Sequence, residues 1–216
     1  MRSILVSMLL AASSALAAPF AVQLGDARVA LDAPPGFADT QFTGSPRLQE
    51  IGESLTSASN RVLLFALSDA DLRRFMLGDQ LELRRYMIAV TPRAMERERL
   101  SEGAFKSLAG NVRGEVTDLP TGDFQKHLDS RAPGTVVMLA ELRKEADAVS
   151  VLQGSRSKAG MFERTRYLLT SNSLVLLRGR ALTLSVYTQY DDPADLEWIR
   201  STTNRWIDDL KRLNAR

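Results

Sequence analysis

Apolar positions along this 216-residue chain recur at two periods, and the texture changes near residue 133. Before that point, segments with helical spacing alternate with short apolar runs. Val22 to Leu24 and Arg28 to Asp32 flank Gly25-Asp26, a pair suited to a tight turn, so a small hairpin is predicted, ending at Pro34-Pro35-Gly36. Ser45-Pro46 predicts a helix start, with serine as cap and proline in the first position; Leu48, Ile51 and Leu55 follow at helical spacing. Val62 to Leu67 is apolar on both faces, which predicts a central strand covered on both sides. Ser68 should cap a short helix with Asp69 and Asp71 in its first turn, Leu72, Phe75 and Met76 on its apolar side and Gly78 as its stop. Leu81 to Val90 reads as a strand. Thr91-Pro92 repeats the cap-then-proline pattern and predicts a helical region to about Ala109, broken near Ser101. The two glycines in Gly110 to Val116 weaken a helix there, and Thr121 to Arg131 reads as a further short helix.

Beyond residue 133 the chain turns strand-like: Thr135 to Leu142, Ala148 to Leu152, Phe162 to Leu169, Leu174 to Leu177 and Leu182 to Tyr190. Asn172 and Arg178-Gly179-Arg180 are turn candidates, which leaves Phe162 to Leu177 as one bent strand or two. Asp192-Pro193 opens a last helix to about Leu213, where Leu196, Ile199, Trp206, Ile207, Leu210 and Leu213 form one apolar stripe. There are no repeats, linkers or low-complexity segments. Each half alone would be small, so the two should share one sheet. The expected class is α+β, a largely antiparallel sheet packed against helices.

The first residues fit a different purpose. Met1 and Arg2 are a positive start, Ile4 to Ala12 is mostly apolar, and Ala15-Leu16-Ala17 has the small-x-small pattern of a signal-peptidase site. Residues 1–17 therefore read as a secretory signal peptide. The mature chain would begin at Ala18 or Pro19, form a single domain over 18–216, and reside in the periplasm or be secreted. No later run approaches the 18 apolar residues of a transmembrane helix.

Composition narrows the chemistry. With 44% hydrophobic and 25% charged residues the chain is globular. It has no cysteine, which excludes disulfides, thiolate metal sites and a cysteine nucleophile, and its one histidine excludes sites needing two imidazoles from one chain. The 28 basic and 26 acidic residues give no strong pull on nucleic acid. Arginine outnumbers lysine 23 to 5, as a GC-rich genome would produce without functional cause.

The order of strand, Pro34-Pro35-Gly36-Phe37 turn, helices, antiparallel meander and C-terminal amphipathic helix resembles the PsbP/DcrB-like α/β/α sandwich group. Val29 to Phe37 and Leu174 to Ile199 carry the resemblance. It implies an α/β/α sandwich and an accessory, docking or assembly role, and it supplies no catalytic residues to carry over.

Several constellations could carry chemistry. Ser155-Arg156-Ser157-Lys158 matches Ser-x-x-Lys, but Gly154 and Gly160 bracket it between strands, and on a strand residues three apart face opposite ways. Asp123 and His127 are four apart on a predicted helix and could share a metal, although a third ligand is lacking nearby. Asp191, Asp192, Asp195 and Glu197 are acidic but suit the positive end of a helix better than calcium. Trp198 and Trp206 read as core or flanking anchors. A basic stripe remains: Arg156, Lys158, Arg164, Arg166, Arg178 and Arg180, with only Glu163 opposing. If the strands bearing it are neighbours, it would suit an anionic partner; otherwise it guards exposed strands against association. The expectation is an exported, noncatalytic protein that binds an envelope component or partner protein without nucleic acid, metal or cofactor. The alternative is a periplasmic hydrolase using carboxylates with or without His127.

Overall fold

A computed structural model describes residues 19–113, 124–157 and 165–215. The chain has an α+β fold built on two antiparallel sheets. β1 (Phe20–Leu24) and β2 (Ala27–Leu31) form the hairpin predicted around Gly25-Asp26. The second sheet has seven strands in the order β3 (Phe37–Asp39), β4 (Asn60–Ser68), β5 (Arg85–Pro92), β9 (Arg180–Tyr190), β8 (Tyr167–Leu177), β7 (Ala148–Arg156), β6 (Val137–Lys144). Every pairing is antiparallel.

Helices lie on both faces of this sheet, because alternate residues of its inner strands are apolar on each side. On β4, Leu64 and Ala66 join the main core, whereas Phe65 and Leu67 belong to a second cluster. The main core is closed by the hairpin β1–β2, by α4 (Phe124–Asp129) and by α5 (Pro193–Asn214), which contributes Ile199, Trp206, Ile207 and Leu210. The other face carries α1 (Pro46–Ser54) and α2 (Asp69–Met76) beside β3 and β4, and α3 (Glu102–Arg113) over β7 and β8. The result is an α/β/α sandwich.

Local signals place the helix starts. Ser45 caps α1 with Pro46 in its first turn, and the Ser68 hydroxyl accepts the Asp71 N–H at the start of α2. Asp192 and Asp195 form a reciprocal capping box on α5. Trp206 is buried, and its indole N–H donates to the Asp32 carbonyl at 2.8 Å, which fixes α5 to the end of the hairpin.

Elsewhere the structure departs from the sequence expectations. Val62 to Leu67 lies within β4 and is covered on both faces, but it is not central: only the three-residue β3 flanks it on one side, and β9 holds the middle. A bulge between Val62 and Leu64 lets Leu63 and Leu64 both be buried. Met76 is exposed; Leu72 and Phe75 carry the packing of α2. The strand expected from Leu81 starts only at Arg85. No helix starts at Pro92; that residue ends β5, and Arg93 to Met95 form one 3₁₀ turn. The helix begins after Ser101, whose hydroxyl accepts the Ala104 N–H at 3.2 Å, and it runs through Gly110 to Arg113. Asn172 is no turn. It sits mid-strand in β8, which is one continuous strand over its described residues.

Candidate functional site

The described members of the basic stripe do not assemble as one surface. They lie at opposite ends of β8. Arg156 pairs opposite Tyr167, and Arg180 opposite Leu177, ten residues or roughly 33 Å along the strand. At the first end Arg156 is occupied: its guanidinium donates to the carbonyls of Leu128, Asp129 and Arg131 at 2.8 to 3.4 Å, closing the C-terminus of α4. Arg166 is exposed beside it, its backbone N–H donating to the Ser157 hydroxyl. Lys158 and Arg164 lie outside the described residues.

At the other end, Arg178 and Arg180 meet arginines that the sequence did not connect with them. Three segments converge: the β1–β2 turn at Gly25-Asp26, the β8–β9 turn at Arg178-Gly179, and the stretch from Arg93 to Leu100. The Leu100 N–H donates to the Gly179 carbonyl at 2.9 Å, and a Cβ built on Gly179 would lie 3.1 Å from Cγ of Arg99. A Cβ on Gly25 would lie 2.9 Å from Nη2 of Arg180 and 3.1 Å from Cα of Arg97. Glycine at 25 and 179, both with positive φ, is what allows the three segments to touch.

This end of the sheet therefore gathers Arg61, Arg93, Arg97, Arg99, Arg178 and Arg180 against Asp26, Glu96 and Glu98. Two of the acids are spent in pairs, Arg61 with Glu96 and Arg180 with Asp26. Arg93, Arg97 and Arg99 are exposed, and no ion pair among the described residues holds them. Arg178 reaches the Asn214 carbonyl at 3.4 Å. Arg180 is only 3% exposed, and its Nε and Nη1 have no hydrogen-bond partner among the described residues. An under-partnered buried guanidinium beneath exposed arginines makes a strongly positive end, suited to the planar, forked recognition of phosphate or carboxylate.

The acidic cluster at the start of α5 is taken up by structure. Asp195 accepts the N–H groups of Asp191 and Asp192 at 2.9 and 3.3 Å and pairs with Arg85 at 2.6 Å. Burial acts to raise its carboxyl pKa, but these contacts outweigh it and hold the group below the ordinary carboxylate range. Arg85 also stacks 4.2 Å over the ring of Trp198, so that flanking tryptophan is an anchor for the junction. His127 is half-buried on α4, while Asp123 lies outside the described residues. Of Ser155 to Lys158, the described part is extended rather than helical. Among the described residues no group of three or more His, Asp or Glu is placed to hold a metal ion, and no helix is long and apolar enough to cross a membrane.

No family model matches the chain, and no curated protein matches it. Two solved structures match it at low similarity. One is the Ran-binding protein Mog1p of Saccharomyces cerevisiae, at 11% identity and a TM-score of 0.39, covering 90% of this chain and 93% of that one. The other is a point mutant of protein Mog1, at 12% identity and a TM-score of 0.36, covering 92% and 94%. Similarity of that size says nothing about the partner of this chain.

Proposed function

We propose that this chain is an exported, noncatalytic protein that binds an anionic component of the cell envelope, and that the arginine-bearing end of its sheet is the contact surface. The observation that carries this reading is the trio Arg93, Arg97 and Arg99, exposed and in no ion pair among the described residues, on a stretch held against the Arg178-Gly179 turn by the Leu100 to Gly179 hydrogen bond. A phosphate-bearing headgroup matches both the charge and the fork geometry of these side chains. Export follows from residues 1–17, and processing would leave Ala18 as the first residue.

Co-sedimentation with vesicles tests the contact. The protein should bind vesicles containing phosphatidylglycerol and not pure phosphatidylcholine, and salt should weaken the binding. Each arginine near an anionic surface is worth about 1 kcal/mol, so replacing Arg93, Arg97 and Arg99 together by Gln should weaken binding about 100-fold. Melting should be unchanged, because none of the three is buried. A triple variant that binds as the parent does, or a parent that ignores anionic vesicles, overturns the reading. N-terminal sequencing of a periplasmic extract tests the export step: Met1 retained on a cytoplasmic protein would end it.

A further inference from the structure

The arginine-bearing end continues onto two further pieces of chain. The Leu100 N–H on the Gly179 carbonyl seats the entry to α3 against the β8–β9 turn. The Leu176 N–H donates to the Asp147 carbonyl at 2.8 Å, which ties the β6–β7 turn to the same end of β8. Lys106 on α3 and Lys144 at the end of β6 stand side by side there, and both are exposed. No ion pair among the described residues holds either one. With Arg93, Arg97 and Arg99 they make a row of outward cations. From the end of β5 to the end of β6 the row crosses four strand-to-strand steps, through β9, β8 and β7, or about 19 Å.

The carboxylates of this end are neutralised from beneath. Glu145 is held by Arg143 at 2.8 Å and Lys211 at 2.7 Å, which keep it below the usual carboxylate range, and Lys211 also pairs with Asp147. Arg143 and Lys211 are half-buried, so their charge is spent on these acids. Asp26 and Glu96 are taken by Arg180 and Arg61. Among the described residues of this end, Glu98 and Glu102 are the exposed acids outside an ion pair, and Glu102 sits in the first turn of α3, where the helix dipole favours it. The cations thus outnumber the acids that could quench them, and they lie in a row instead of converging on one point.

Resting on the envelope contact proposed above, we infer that the partner is the anionic bilayer surface itself, and that the whole row, Lys106 and Lys144 included, docks on it with the strands standing upright. One phosphate cannot touch cations spread over about 19 Å, whereas a plane of headgroups can meet them all. The far end of β9 lies about 33 Å from that plane, several times the screening length of about 8–10 Å. Exposed Asp192 and Glu197, at the start of α5 beyond that end, are thereby kept clear of the like-charged surface.

Vesicles containing phosphatidylglycerol test this. Lys106→Gln with Lys144→Gln should weaken binding about 30-fold, with melting unchanged because both side chains are exposed. Arg166→Gln with Arg200→Gln removes the same charge away from the row and should change binding by less than about threefold. Soluble glycerophosphate should compete no better than sodium chloride of equal ionic strength. Orientation can be read directly, because the chain has no cysteine and a single one labels cleanly. A bimane on Ala146→Cys, at the exposed β6–β7 turn, should be quenched by lipids bearing a headgroup nitroxide, and one on Ala194→Cys, at the exposed start of α5, should not. A parent that ignores these vesicles overturns the envelope contact and this inference together. A parent that binds, yet loses as much from the Arg166 and Arg200 pair as from the lysines, is displaced specifically by glycerophosphate, or shows equal quenching at both labels, overturns the upright docking alone.

Discussion

Asp39 ends β3 with one carboxylate oxygen accepting the Gln41 N–H at 3.1 Å, while the other is buried and receives no hydrogen bond of good geometry among the described residues. Burial raises its carboxyl from 3.8 to about 6, and nearby backbone N–H groups of Gln41 and Phe65 offset this only in part. Between those values the folded state holds a proton that the unfolded chain has released. Stability therefore falls as pH rises through that window and levels off above it. The rise in its carboxyl pKa corresponds to ~3 kcal/mol. Asp39→Asn retains the cap oxygen, so it should flatten the urea midpoint between pH 4 and 6 relative to the parent and gain up to ~3 kcal/mol at pH 8. An unchanged pH profile would show that Asp39 is not buried as charge. Arg180 poses the opposite problem, a buried cation whose partner Asp26 is 75% exposed. Replacing a buried ion pair by apolar groups of similar volume is often neutral or stabilising by ~1–4 kcal/mol, and the usual cost of removing one partner alone does not arise here because Asp26 would be left in water. Arg180→Met should therefore keep or raise stability, yet weaken binding to anionic vesicles if the guanidinium serves the anion. A large loss of stability would instead make Arg180 a bolt between the hairpin and the sheet.

At the scale of elements, α5 bears the largest single share of cover for the main core. Trp206→Ala should cost about 3–5 kcal/mol, read from chemical denaturation, and truncation after Asp192 should give a protease-sensitive product. Leu64→Asp in β4 should abolish folding, because Leu64 is fully buried against the same core. These elements were legible in the sequence because their determinants are local: a serine or aspartate cap, a proline behind it, an apolar stripe. The misreading at Thr91-Pro92 shows where local rules stop. Thr91 has the chemistry of a cap, but its hydroxyl faces the Ala181 carbonyl of the neighbouring strand at 3.3 Å and is buried there. Proline, with no N–H to donate, serves as the last residue of β5 opposite Asn60. Asn172 likewise spends its side chain across strands: its amide donates to Gln153 and accepts from Ser185, both at 2.6 Å. The candidate site was legible only in half. Arg178 and Arg180 stood out as a basic turn, but Arg97 and Arg99 lie some 80 residues away, in a Glu-Arg-Glu-Arg run inside the helical region expected after Thr91-Pro92. Only the register of β5 with β9 brings the two stretches together.

At the scale of the molecule, the change of texture near residue 133 marks no physical boundary. The earlier residues supply β3, β4 and β5; the later ones supply β6 to β9; the seam is the β5–β9 pairing from Arg85 opposite Thr188 to Val90 opposite Thr183. That seam runs through the middle of the sheet, with Met87, Ala89, Leu184 and Val186 buried along it. The ends of the described chain are tied as well. Asn214 exchanges two hydrogen bonds with Ala30, at 2.8 and 2.9 Å, and Trp206 donates to Asp32. Neither half can keep its core when the other opens, so residues 19 to 215 should unfold in one step. The near-ultraviolet signal of Trp198 and Trp206, both on α5, reports the seat of that helix, whereas the far-ultraviolet signal reports the whole sheet. The two denaturation curves should coincide, and a fragment beginning at residue 134 should not fold, because it would expose the apolar edge of β9 that β5 covers. A second transition, or a cooperatively folding fragment, would mean that the strand-rich half carries a sufficient core of its own and that the seam joins two units rather than running through one.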